Sequence, residues 1–120
     1  MNPKSPFLLL TALVFTACAS ITLPPAPAHA YTDAEARVRT TAASTITREQ
    51  TAPQILTTLH LDPRRLFEHT SSGLNMSRWE TYSLSPHYEL WLAGGTFHPG
   101  QYNRAFITPR NPTHRLFPPR

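Results

Sequence analysis

Residues Arg78–Leu84 read RWETYSL, and residues His87–Ala93 read HYELWLA. Both stretches are short and aromatic, and polarity alternates along part of each, the pattern of strands with one covered face. Gly94-Gly95 follows directly, a two-residue turn signal, with Thr96-Phe97 beyond it. A hairpin turning there brings Leu92 near Phe97 and sets His87, Glu89 and Trp91 on one face. Gln101–Thr108, QYNRAFIT, is a third strand candidate.

Upstream of these strands the period changes. Thr32 to Gln50 reads as one helix: Thr32 and Glu35 form a capping box, and Ala34, Val38, Ala42 and Ile46 recur every four residues. Large side chains are scarce on that stripe, so it buries a modest face. Thr51 opens a second helix with Pro53 in its first turn and Gln54 completing the same box. Ile55, Leu56 and Leu59 form its apolar face. Asp62-Pro63 starts a third helical piece through Leu66 and Phe67, closed by Ser71-Ser72-Gly73. Helices first and an antiparallel sheet second predict an α+β domain over residues 31–108. The last stretch, 109–120, PRNPTHRLFPPR, is expected to be a flexible tail.

The first thirty residues have the layout of an export signal. Lys4 gives a charged start, residues 7–23 are apolar and uncharged, and Ala28-His29-Ala30 ends the segment as small-x-small. Cleavage after Ala30 leaves Tyr31 as the new terminus and no membrane span. The alternative is a lipoprotein anchored at Cys18, which follows Phe15-Thr16-Ala17. A secreted or periplasmic location is expected. From Tyr31 onward the chain holds ten Arg, no Lys and seven acidic residues, and no cysteine. Disulfides are therefore excluded there, and the mild positive balance favours an unknown protein or an anionic polymer as partner, RNA among them.

Five histidines follow the leader: His60, His69, His87, His98 and His114. His87 and Glu89 leave one face of a strand and His98 could approach across the hairpin, but no paired ligand spacing accompanies them. No metal and no cofactor are expected. A second constellation is His69, Glu89, Arg104 and His114. Cleavage of RNA by its own 2′-hydroxyl needs a carboxylate base, a histidine acid and an arginine on the phosphorane.

At Ser85-Pro86-His87-Tyr88-Glu89-Leu90-Trp91 and Pro99-Gly100-Gln101-Tyr102-Asn103-Arg104-Ala105-Phe106 the chain resembles the microbial guanyl-specific ribonucleases, the barnase-like group. The resemblance covers roughly residues 67 to 116 and fits that family's helix-then-sheet order. It implies Glu89 as base, Arg104 as phosphate ligand, His114 as acid and His69 as a second catalytic histidine. Ala105 is smaller than the family's usual residue, His114 falls in a Pro-flanked segment, and the guanine-binding loop is not recognisable. The first expectation is accordingly an exported protein that binds a partner surface, as a secreted effector or envelope factor does. The alternative is a ribonuclease or a catalytically dead relative of one.

Overall fold

The structure, a computed structural model, describes residues 23–74, 77–95 and 98–111. Its fold is α+β. The elements run α1 (Asp33–Arg37), α2 (Thr40–Ser44), β1 (Gln50–Thr51), α3 (Ala52–Thr58), a 3-10 turn (Pro63–Arg65), β2 (Phe67–Leu74), β3 (Ser77–Ser83), β4 (Tyr88–Gly95), β5 (Gln101–Tyr102) and β6 (Arg104–Pro109).

Both capping boxes form. Thr32 Oγ1 accepts from Glu35 N while Glu35 Oε1 accepts from Thr32 N, and Thr51 and Gln54 repeat the exchange at α3. The single helix expected over Thr32–Gln50 is instead two short ones. Arg39 sits at the break, donating from Nη1 to Glu35 O, from Nε to Leu59 O and from Nη2 to His60 O. The run Thr45-Ile46-Thr47 then discourages any extension, because β-branched side chains lose rotamer freedom in a helix. α3 ends on His60, which takes the left-handed conformation at φ 56°. Leu61 N–H returns to Leu56 O at 2.8 Å, closing the end of the helix.

The main sheet has the order β2-β3-β4-β6, antiparallel throughout, and a small β1-β5 pair stands beside it. Leu90 and Leu92 of β4 and Ala105 and Ile107 of β6 face the helices, joining Ala36, Ala43, Ile55, Leu56 and Leu59 in the core. The opposite face carries Trp79, Thr81 and Ser83 of β3 beside Glu89 and Trp91 of β4 and Phe106 of β6, following the cross-strand register.

Three expectations need correction. β2 runs through Phe67–Leu74, where a helical end closed by Ser71-Ser72-Gly73 was expected; Asp62 caps only the 3-10 turn Pro63–Arg65. Gly94 and Gly95 are strand residues of β4, not a turn. Glycine is needed at 94 because β5 crosses over it: a Cβ there would stand 2.5 Å from Gln101 O. The third strand is split, since Gln101–Tyr102 pairs with β1 while Arg104–Pro109 pairs with β4. Phe97 lies outside the described residues.

Pro109 and Arg110, counted in the expected tail, belong to the fold. Pro109 closes β6, and the Arg110 side chain is wholly buried. Its guanidinium donates to Pro86 O, Pro24 O and Glu68 Oε2 and lies 4.8 Å from the Phe67 ring centroid. Residues 112–120 lie outside the described residues, as do residues 1–22 with Cys18.

Candidate functional site

The three described residues of the expected acid–base set, His69, Glu89 and Arg104, do not converge. Glu89 is only 2 % exposed, and the Trp91 indole donates to its Oε1 at 3.0 Å. Arg104 pairs across from Ala93, whereas Glu89 pairs across from Thr108. The two share a face of the sheet but stand four strand positions apart, about 13 Å at 3.3 Å per residue. Arg104 is exposed and lies over the Phe106 ring at 5.8 Å. Glu89 is thus closed in beside an indole, and Arg104 stands too far along β6 to pair with it. His69 is on the other face, and His114 lies outside the described residues.

His69 has a different carboxylate. A bulge between Phe67 and Thr70, with Glu68 at φ 50°, turns the His69 side chain onto the helix-side face of the sheet. There its ring stacks on Tyr82, centroids 4.4 Å apart, and its Nε2 lies 2.6 Å from Glu80 Oε1. Tyr82 donates its hydroxyl to the same oxygen at 3.3 Å. Burial, reinforced by the Glu80 charge and this hydrogen bond, pushes the Tyr82 phenol up to about 12. Burial also raises Tyr102, again with hydrogen bonding to Glu80 behind it.

Arg78, Glu80 and Tyr82 occupy alternate positions of β3 and so project from one face. The Gly100–Tyr102 segment crosses near Gly94 and supplies the facing wall. The result is a cleft of about 330 Å³ lined by Ser71, Ser72, Gly73, Arg78, Glu80 and Tyr102, with Trp79 and Gly100 beside them. Glu80 is nearly enclosed, its side chain 13 % exposed, while His69 is half exposed. Three donors bear on the Glu80 carboxylate. Arg78, by contrast, makes no ion pair among the described residues, so it is the uncommitted charge of the cleft.

A larger open groove of about 720 Å³ runs along α3, lined by Arg48, Glu49, Gln50, Pro53, Gln54, Thr57 and Thr58. Every one of those side chains is exposed or partly so, and the groove holds no enclosed ionisable group. The smaller cleft is the better candidate because a nearly buried carboxylate, itself held by His69, lines it together with a cation.

The remaining histidines tie segments together. His87 Nδ1 lies 2.7 Å from Asp33 Oδ2, and His98 Nδ1 lies 3.0 Å from Glu49 Oε1. Burial pushes the Asp33 carboxyl up. Hydrogen bonds from the Ser85 hydroxyl and from His87 outweigh it, and hold that carboxyl below its ordinary value. Among the described residues no three His, Cys, Asp or Glu side chains converge as a metal site. Nor is any helix among them long and apolar enough to cross a membrane.

The Glu80 site was within reach of the sequence. RWETYSL places Arg78, Glu80 and Tyr82 at strand spacing, a period-two signal of the kind used for His87 and Glu89. What the sequence hid was β2, and with it the partner His69. No protein-family model, curated protein or solved structure matches this chain.

Proposed function

We propose that this chain is an exported binding protein that grips an anionic polymer through the cleft between β2, β3 and β5. One observation carries the reading: among the described residues Arg78 makes no ion pair, and the one carboxylate that lines its cleft, Glu80, is already engaged by His69 and Tyr82. A guanidinium of that kind suits phosphate or carboxylate oxygens through its planar fork. Ser71 and Ser72 on exposed β2 add hydroxyls for the neutral parts of a ligand.

RNA cleavage is the second reading, favoured by the His69–Glu80 pair beside Arg78. Glu80, oriented by His69, would take the 2′-hydroxyl proton while Arg78 meets the phosphorane charge. In-line displacement also needs an acid on the far side of the phosphorus. His69 and Glu80, 2.6 Å apart, stand on one side together, so the described residues supply half of that chemistry. This ranks binding first.

The test uses the full chain with fluorescently labelled single-stranded RNA and with a labelled acidic peptide. Anisotropy should rise with at least one probe, fall steeply as salt increases, and be lost in Arg78→Ala. Indifference to both polyanions, or binding unaltered by Arg78→Ala, refutes the binding reading. RNA shortened by the parent chain but not by Glu80→Gln would move the conclusion to the second reading.

A further inference from the structure

The segment Pro24–Ala30 was expected to leave with the export signal. The structure builds it into the domain. Pro24 O accepts from Arg110 Nη2 at 3.1 Å, His29 O accepts from Arg65 Nε at 3.1 Å, and Ala30 O accepts from Arg65 Nη2 at 3.4 Å. Ala30 N–H closes a turn on Pro27 O at 3.1 Å. Two arginines from distant parts of the chain thus hold both ends of the segment by its carbonyl groups.

The bond after Ala30 leads straight into the interior. Tyr31 is 4 % exposed, and its amide N–H donates to Leu84 O at 2.9 Å. Its ring lies 3.7 Å from the Arg65 guanidinium and 5.0 Å from that of Arg39, and its hydroxyl accepts from Asp62 N at 2.7 Å. A cut after Ala30 turns the enclosed amide into an ammonium, a charge that is unfavourable to bury unless fully paired. It also strips Arg110 of one of its three oxygen acceptors. That side chain is wholly buried, and its Nε has no partner among the described residues even with the segment in place.

We infer that Pro24–Ala30 is a permanent strap of the folded domain and that the exported chain is processed N-terminal to Pro24, leaving the Ala30–Tyr31 bond intact. The strap holds Arg65 and Arg110 in place, and through them links the 3-10 turn and the end of β6 to the start of the domain. The inference rests on the export reading and moves only the point of cleavage.

The full chain, expressed in an exporting bacterial host, tests it by intact mass of the exported product. The expected terminus lies between Cys18 and Pro24, a lipid-modified Cys18 included. A terminus at Tyr31, with all seven residues of Pro24–Ala30 missing, overturns the inference and leaves the export reading standing. Ala28→Leu provides a second readout that does not depend on folding, because Ala28 is exposed and a large residue there blocks a small-x-small cut. Export and processing of this variant should match the parent, with mass raised only by the substitution. Accumulation of unprocessed Ala28→Leu overturns the inference. Retention of both proteins inside the cell, uncut, overturns the inference and the export reading together.

Discussion

Replacing Gly94 by alanine should unseat β5 and with it one wall of the cleft. The added Cβ would stand 2.5 Å from Gln101 O and 3.0 Å from Tyr102 Cα. Both are backbone atoms, so no side-chain rotation relieves the overlap. Ordinary contact begins near 3.4 Å, and β5 must retreat by about 0.9 Å on a two-residue pairing that has little to hold it. Overpacking of this kind costs about 1–3 kcal/mol, and the upper half applies here because the opposing atoms are main chain. For a domain of this size each kcal/mol moves the midpoint by roughly 4–8 °C, which gives a fall of about 8–24 °C in a thermal melt followed by circular dichroism. Gly73→Ala is the control. Its Cβ would meet Ser77 O at 3.3 Å and the flexible Arg78 Cγ at 3.5 Å, so its loss should stay under about 1 kcal/mol. Since Tyr102 lines the cleft, Gly94→Ala should also weaken polyanion binding, measured well below its melting point. A Gly94→Ala midpoint within about 3 °C of the parent, or below-parent stability that is worse in Gly73→Ala, would refute the crossing of β5 over Gly94.

Three further outcomes follow from local geometry. Tyr31→Phe removes the acceptor of the Asp62 amide and should cost about 1 kcal/mol in urea unfolding; no change would show that water replaces the hydroxyl freely. His60→Gly should raise stability by about 0.5 kcal/mol or more, since His60 holds a left-handed conformation in which glycine is unstrained; a lower urea midpoint would count against it. Asp33, whose carboxyl is held below its ordinary value, contributes stability that is present at neutral pH and lost as pH falls below about 4. Asp33→Asn should therefore flatten the acid limb of a stability–pH profile, and an unchanged limb would contradict the assignment.

What the sequence disclosed was local. The boxes Thr32/Glu35 and Thr51/Gln54 are complete within four residues, so they formed as read. The strands around Glu80 and Leu90 were legible because their alternation is internal to each. β2 was not: FEHTSSGL has few β-branched or aromatic residues, and it is a strand because β3 offers it a hydrogen-bonding edge. Gly94 was read as a turn for the same reason. Its need for a missing side chain comes from Gln101, on a segment that returns from beyond the strand end. For the site, Glu89 and Glu80 were equal candidates by spacing. Only the packing of the two sheet faces separates them, putting Glu89 next to the Trp91 indole and Glu80, bonded to His69, at the wall of a cleft. Face assignment depends on which surface the helices cover, and no short window of sequence contains that.

The bulge that delivers His69 to Glu80 also bears on how the molecule behaves in a crowd. β2 is an outer strand of the sheet, with one row of amides and carbonyls not used by β3, and such a row invites a second chain to pair along it. The kink at Glu68 breaks that row near its beginning, and the straight remainder runs only from Thr70 to Leu74. Ser71, Ser72 and Gly73 in that remainder are polar or lack a side chain, so a docking strand would find hydrogen bonds there but no apolar grip. Concentrated solutions of this protein should thus resist filament growth from this border of the sheet, and deleting Glu68, which leaves Phe67, His69 and Thr70 in unbroken register with β3, would remove that protection while keeping His69 opposite Tyr82.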